Sequence, residues 1–176
     1  MVEYDIPFVC LIFTILICYI FFPKKKIELT ENIYYKNILI FTLFVNSTNF
    51  ISHYMASIFE HDGVIPFWFA NLFACINKLG SCFILYITIN IMSYMLYITY
   101  PKFRKNHKIA QVINIIYGII ASIFILILKF NVFNVEGVTS GNGSSVTLTY
   151  SLVFINLFVA ALVAILNINK HDKRYK

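Results

Sequence analysis

Five long apolar stretches alternate with short polar segments along the chain. They cover residues 6–22, 37–59, 72–100, 109–130 and 151–168. The stretch at 72–100 contains a single charged residue, Lys78, and a helix of about 30 residues rises roughly 45 Å. That length exceeds the bilayer's hydrocarbon core of about 30 Å. The pattern therefore predicts an all-α polytopic bundle of five transmembrane helices that forms one domain over residues 1–176.

The charged residues fix an orientation for these helices. Lys and Arg cluster at 24–36, 102–108 and 170–176, and the positive-inside rule assigns such clusters to the cytoplasm. We therefore expect the N-terminus outside, the C-terminus in the cytoplasm and the protein in the cell membrane. Residues 131–150 form the longest connection, and their Gly, Ser and Asn content predicts a mobile outer loop with turns.

The composition agrees with a membrane protein. The chain is 60% hydrophobic and 12% charged, whereas soluble domains average about 45–50% apolar and about 25% charged. The net charge of +6 comes from the connecting segments rather than from one basic face with interleaved aromatics, so a nucleic acid is not expected as a partner. We interpret the cysteines, which form no CxxC pair, as reduced packing residues: Cys10, Cys18, Cys75 and Cys82.

Polar residues recur at helical spacing inside the stretches. In the second stretch Asn46, Asn49 and His53 follow at steps of three or four and share a helix face. Because amides that face lipid would lack partners, we expect this face to point into the bundle. His53 and Lys78 lie at similar depths below the outer loop. Together with the three asparagines Asn46, Asn49 and Asn77, they predict an outward-facing pocket for an anionic or peptide ligand.

A purely structural role for these residues stays open as an alternative. Hydrogen bonds between helices hold membrane bundles together, and such bonds would account for the polar face without any ligand. Lys78 would also be accounted for if its helix began at Leu79, because its ammonium group would then reach the lipid headgroups.

Motifs of the common enzyme classes are absent from the sequence. It contains no GxSxG, HExxH or Walker A motif. The apolar stretches contain no acidic residue of the kind that proton-coupled pumps use. We therefore expect no catalytic residues, no metal site and no cofactor in this chain.

Four short segments carry a resemblance to a known family. They are YIFFPKKKIELTENIYY, the pair Asn77-Lys78, the Tyr-rich end before PKFRKNHK, and GNGSSVTLTY. Together they resemble the N-terminal multi-pass membrane sensor modules of histidine kinases, and sometimes diguanylate cyclases, in low-GC Gram-positive bacteria. Such modules usually have six spans and an output domain. The resemblance therefore implies either the front of a longer protein or a stand-alone copy, and it implies a homodimer.

Two functions follow as hypotheses. The first is a sensor or input module in the lipid bilayer, in which a small-molecule or peptide ligand shifts the helices and residues 167–176 pass the shift to a cytoplasmic output. The second is a small transporter, channel or accessory or immunity-type membrane subunit that uses the same polar interior as a path. An intramembrane enzyme is disfavoured because the stretches contain no paired acids.

Overall fold

Six helices and one β-hairpin make up the described part of this computed structural model, residues 5–22, 30–58, 66–135 and 138–171. The helices are α1 (Asp5–Phe21), α2 (Thr30–Ile58), α3 (Phe67–Thr99), α4 (Pro101–Lys105), α5 (His107–Ile127) and α6 (Ser144–His171). The hairpin consists of the antiparallel strands β1 (Asn131–Val135) and β2 (Val138–Asn142). The predicted all-α class is confirmed apart from this hairpin.

Three helices, α3, α5 and α6, are long and apolar enough to cross a membrane. Helix α1 contributes a shorter apolar segment, Ile6–Phe21. Helix α2 is long enough, but polar residues such as Asn46, Asn49 and His53 interrupt its apolar run, and it is not among these three. Three of the five predicted stretches therefore form helices that fit a membrane span by length and composition, and five spans remain a prediction.

The structure moves three of the predicted boundaries by more than one helical turn. Helix α3 begins at Phe67 rather than at residue 72. Helix α2 begins at Thr30, about two turns before the predicted start at residue 37. Helix α6 begins at Ser144 rather than at residue 151, so the second part of the predicted outer loop is helical. The first part of that loop forms the hairpin, in which Asn131 lies opposite Asn142.

Gly143 allows the hairpin to pass directly into α6. Its φ is 146°, a backbone conformation that favours glycine. A Cβ atom at this position would also overlap the carbonyl oxygen of Lys129. The Gly143 carbonyl accepts a hydrogen bond from the Thr147 amide at 3.1 Å, which starts the helix. The glycine that the sequence pattern assigned to a loop therefore joins two regular elements.

Helix α3 forms the centre of the bundle. It packs against α2, α5 and α6, while α1 packs against α2. Leu85 of α3 and Ile125 of α5 are fully buried and form a core with their neighbours Cys82, Ile89 and Ala121. Among the described residues α2 does not pack extensively against α5 or α6. The surface of α3 that faces those gaps is therefore free to line cavities.

The outward face of α5 is almost entirely aliphatic. Nine of its aliphatic residues are exposed by about half or more: Ile109, Val112, Ile113, Ile115, Ile116, Ile119, Ile120, Ile123 and Ile127. A continuous apolar surface of this kind is unusual on a soluble monomer, and it suits contact with lipid chains. The two side-chain amides of the same helix, Gln111 and Asn114, lie on the side that is partly buried in the bundle.

Candidate ligand-binding site

A cavity of about 340 Å³ lies between α2, α3 and α6, at the end of the bundle that carries the hairpin. We refer to it as the His53 cavity. Helix α2 contributes Asn49 and His53, and helix α6 contributes Tyr150. Phe130 and Gly141 line the side nearest the hairpin. The cavity forms here because α3 packs against both α2 and α6, whose described residues do not pack extensively against each other.

Three of the five residues predicted for a pocket line this cavity: Asn49, His53 and Asn77. They come together because α2 and α3 run antiparallel and present facing polar positions at the same height. The Asn77 side-chain amide donates a hydrogen bond to Ser52 Oγ at 3.0 Å, which ties α3 to α2 in the cavity wall. The same amide donates to the Phe73 carbonyl oxygen at 2.8 Å.

Asn46 lies outside the His53 cavity and contacts α1. Its amide nitrogen donates to Thr14 Oγ1 at 2.7 Å and approaches the Cys10 carbonyl oxygen at 3.4 Å. Residues seven apart share a helix face, but α1 covers this face of α2 at Asn46 and leaves it open at His53. Interhelical hydrogen bonding, the structural alternative to a ligand role, therefore accounts for Asn46.

Lys78 also lies outside the cavity, at the C-terminal end of α5. Its Nζ donates to the Leu126 carbonyl oxygen at 2.8 Å. The last carbonyl groups of a helix have no intrahelical donor and carry partial negative charge, so an ammonium group stabilises them. Ser145 Oγ caps the neighbouring Ile125 carbonyl at 2.8 Å. Because α3 runs unbroken from Phe67 to Thr99, the alternative of a helix that begins at Leu79 is wrong.

The polar groups that remain available to a ligand in the His53 cavity are few. Asn49, His53 and Tyr150 are exposed and form no hydrogen bond with any described side chain. No Asp, Glu, Lys or Arg is among the described lining residues. The cavity therefore offers an amide, an imidazole and a phenol above the aromatic side chains Phe73 and Phe130. Such a lining suits a neutral ligand, or a weakly anionic one that contacts the imidazole.

The sequence analysis missed several residues of this cavity. Tyr150 and Thr149 lie in the segment assigned to a loop, and only the early start of α6 brings them to the cavity. Gly141 lines the cavity because its lack of a side chain leaves room for the Phe130 ring, which a Cβ atom would overlap. The helical spacing of Ser52 relative to Asn49 and Ala56 was the one signal that could have identified a further lining residue.

A second cavity, of about 320 Å³, lies at the opposite end of the bundle between α2, α3 and α5. We refer to it as the Tyr34 cavity. Its lining includes the amides of Asn37, Asn90, Gln111 and Asn114. Between the two cavities, Asn156 of α6 donates to Thr88 Oγ1 of α3 at 3.2 Å. The described residues include no group of three or more His, Cys, Asp or Glu side chains that could hold a metal ion.

The comparisons with known proteins add no family to this description. A scan against protein-family models found no match, and neither did searches of curated proteins and of solved structures. The class is therefore defined by the fold: a helical bundle around a central helix, α3, with three helices long and apolar enough to cross a membrane. The resemblance to membrane sensor modules stays a prediction.

Proposed function

We propose that this chain is the membrane-embedded input module of a signalling protein, which binds a small molecule or peptide in the His53 cavity. One observation carries the proposal. Helix α6 lines the cavity at Thr149 and Tyr150 and continues without a break to His171. A helix of 28 residues spans about 42 Å, so a displacement at the cavity is passed along one rigid element to the basic end of the chain.

In this proposal the five long helices cross the bilayer of the cell membrane, with the N-terminus outside and homodimers as the assembly. The polar residues of α2 do not argue against a span, because two of them have partners on neighbouring helices and two others, Asn49 and His53, line the His53 cavity. Asn46 bonds to α1, and Ser52 accepts a hydrogen bond from α3. At the other end, the Tyr35 hydroxyl donates to the Tyr94 hydroxyl at 3.0 Å, where tyrosines suit the membrane interface.

A ligand can shift the bundle only if it binds one helix arrangement better than another. The packing offers such an arrangement at the His53 cavity. The core between α3 and α5, around Leu85 and Ile125, is fully buried and resists change. The gap between α2 and α6 contains no comparable core among the described residues. A ligand would therefore act by changing the distance between these two helices.

A matched pair of asparagine substitutions on α2 tests this proposal. Asn49 lines the His53 cavity, whereas Asn46, one helical turn away, bonds to α1. The chromosomal gene is replaced with Asn49→Leu, His53→Ala or Asn46→Leu, and the transcriptome of each strain is compared with those of the wild type and a deletion strain. We expect the first two variants to match the deletion and Asn46→Leu to match the wild type, at equal protein abundance in the membrane. Wild-type transcriptomes in all three variants would refute the proposal.

A small transporter or channel is the second candidate, because polar cavities lie at both ends of α3. Transport requires the two cavities to connect past Leu85, which is fully buried. The test is conductance or solute uptake in vesicles that contain the purified chain. Flux that Asn49→Leu abolishes and Asn46→Leu preserves would favour the transporter over the input module.

A further inference from the structure

The Tyr34 cavity has an uncharged polar lining. It occupies the gap between α2 and α5 above α3, and its described lining residues include no Asp, Glu, Lys, Arg or His. The lining instead presents side-chain amides and hydroxyls beside aliphatic residues. An ion placed there would lose its hydration without gaining an opposite charge, so the lining favours a neutral occupant.

The Tyr34 hydroxyl is buried and has no hydrogen-bond partner among the described residues. Tyr34 is 2% exposed, and its hydroxyl forms no hydrogen bond with the described residues, although the Gln111 side chain lies beside it. Tyr34 precedes the predicted span at 37–59. A phenol is protonated at neutral pH, so the Tyr34 hydroxyl can act as a hydrogen-bond donor.

Other groups in the lining keep spare acceptors. The Asn37 amide nitrogen donates to Asn90 Oδ1 at 3.3 Å, and the Asn114 amide nitrogen donates to Ser93 Oγ at 2.5 Å. No described residue donates to the Asn37 or Asn114 amide oxygens. The cavity thus offers a phenol donor together with amide groups that can both donate and accept.

An aromatic wall completes the cavity. The Phe41 and Tyr86 rings both line it and stack with centroids 5.1 Å apart and an angle of 14° between their planes. A flat stacked pair favours a planar occupant, because a further ring can lie against its face or edge. Ile33 and Ile115 line the cavity and are about half exposed, which leaves an apolar entrance between α2 and α5.

From these observations we propose that the Tyr34 cavity binds an uncharged planar ring compound that carries carbonyl oxygens, with the Tyr34 hydroxyl as donor to one carbonyl. The volume of about 320 Å³ is large enough for a one- or two-ring compound. Such a ring could come from the bilayer, as the headgroup of a quinone, or from the cytoplasm, as a soluble heterocycle. The proposal is independent of the function proposed for the His53 cavity.

The test measures binding of menadione, an uncharged naphthoquinone, to the full chain in lipid nanodiscs by equilibrium dialysis. We expect saturable binding that Tyr34→Phe weakens by about fivefold or more, because the variant keeps the ring and loses the hydroxyl. Tyr35→Phe is the matched control. Tyr35 neighbours Tyr34 in sequence, but its hydroxyl already bonds to Tyr94 and it does not line the cavity. The affinity of the Tyr35→Phe variant for menadione should therefore stay within about twofold of wild type.

A second variant and a charged probe keep the test decisive if Tyr34→Phe lowers the yield of folded protein. Gln111→Leu removes a neighbouring amide and should also weaken binding, and an anionic naphthoquinone sulfonate should bind about tenfold more weakly than menadione. Absence of saturable menadione binding, or equal affinities for wild type and Tyr34→Phe, would overturn the proposal. Equal losses in Tyr34→Phe and Tyr35→Phe would overturn it as well.

Competition distinguishes the two sources of the ring. A quinone with an isoprenoid tail, incorporated into the nanodisc, should displace menadione if the natural ligand comes from the bilayer. Thymine added from water should displace it if the ligand is a soluble heterocycle. Displacement by either compound supports the shared ring chemistry, and displacement by neither contradicts it.

Discussion

The two cavities of this bundle have similar volumes, about 340 Å³ and 320 Å³, but different chemistry. In the His53 cavity the available groups are the amide of Asn49 and the imidazole of His53, and both side chains are exposed. In the Tyr34 cavity the most distinctive group is a fully buried hydroxyl among amides. One central helix, α3, therefore lines two cavities of different chemistry. In our proposals the first binds a small molecule or peptide, and the second binds a neutral ring.

Both cavities depend on the same polar contact in the middle of the bundle. Asn156 of α6 is 2% exposed, donates to Thr88 Oγ1 at 3.2 Å and accepts from the Tyr117 hydroxyl at 3.4 Å. It therefore joins α3, α5 and α6 at one point. This contact holds α3, the shared wall of both cavities, in its position.

The largest effect is expected from breaking that contact with Asn156→Leu. Leucine has a similar volume, but it leaves the Tyr117 hydroxyl without its partner and removes the bond to Thr88. We expect the free energy of unfolding to fall by about 1–3 kcal/mol, measured by thermal denaturation in nanodiscs. Ser151→Ala is the control, because that hydroxyl is exposed and bonds to the backbone of its own helix. Equal stabilities of the two variants would show that the contact is not structural.

Alanine substitutions at two glycines, Gly118 and Gly141, should each disturb the wall of one cavity and leave the other cavity unchanged. A Cβ atom at Gly118 would lie 2.5 Å from Tyr86 Cε1 in the wall of the Tyr34 cavity, and one at Gly141 would overlap the Phe130 ring in the wall of the His53 cavity. Forced ring movements of this kind cost about 1 kcal/mol or more, partly offset in α5 because alanine is a better helix former than glycine by about 1 kcal/mol.

The single tryptophan, Trp68, reports which cavity has changed. Its ring lies edge-on to Phe69 with centroids 6.0 Å apart, and Phe69 belongs to the cluster against which Phe130 packs. We expect Gly141→Ala to shift the Trp68 emission maximum and Gly118→Ala to leave it unchanged. A shift in both variants would show that the two ends of the bundle are coupled rather than independent.

Sequence periodicity predicts part of this arrangement. Helical spacing gathers Asn49 and His53 on one face of α2, and the antiparallel return of α3 brings Asn77 to it. The same spacing does not show which neighbouring helix packs against a given residue. It therefore did not predict that Asn46 contacts α1 or that Lys78 lies at the end of α5. Those positions depend on tertiary packing, and on helix ends that the sequence defines poorly.

The Tyr34 cavity was missed for two physical reasons. Tyr34 precedes the predicted start of the second span, since Lys36 and the charges before it suggested a loop, whereas α2 begins at Thr30. A cavity also requires helices that fail to meet, and the gap between α2 and α5 is a property of the whole bundle. The hairpin was missed because Gly and Asn suggest turns whether or not strands flank them.

The smallest expected effect is also the most direct comparison of a free hydroxyl with a bonded one. Without ligand, Tyr34→Phe removes a buried hydroxyl that has no partner among the described residues, so we expect the free energy of unfolding to rise by up to about 1 kcal/mol. Tyr35→Phe removes a hydroxyl that donates to Tyr94 at 3.0 Å, so in this variant the free energy of unfolding should fall by about 0.5 kcal/mol. The opposite signs, measured by chemical denaturation in the same nanodiscs, are the prediction. If Tyr34→Phe is the more destabilising of the two, its hydroxyl already has a partner in the folded protein, and the Tyr34 cavity loses its donor.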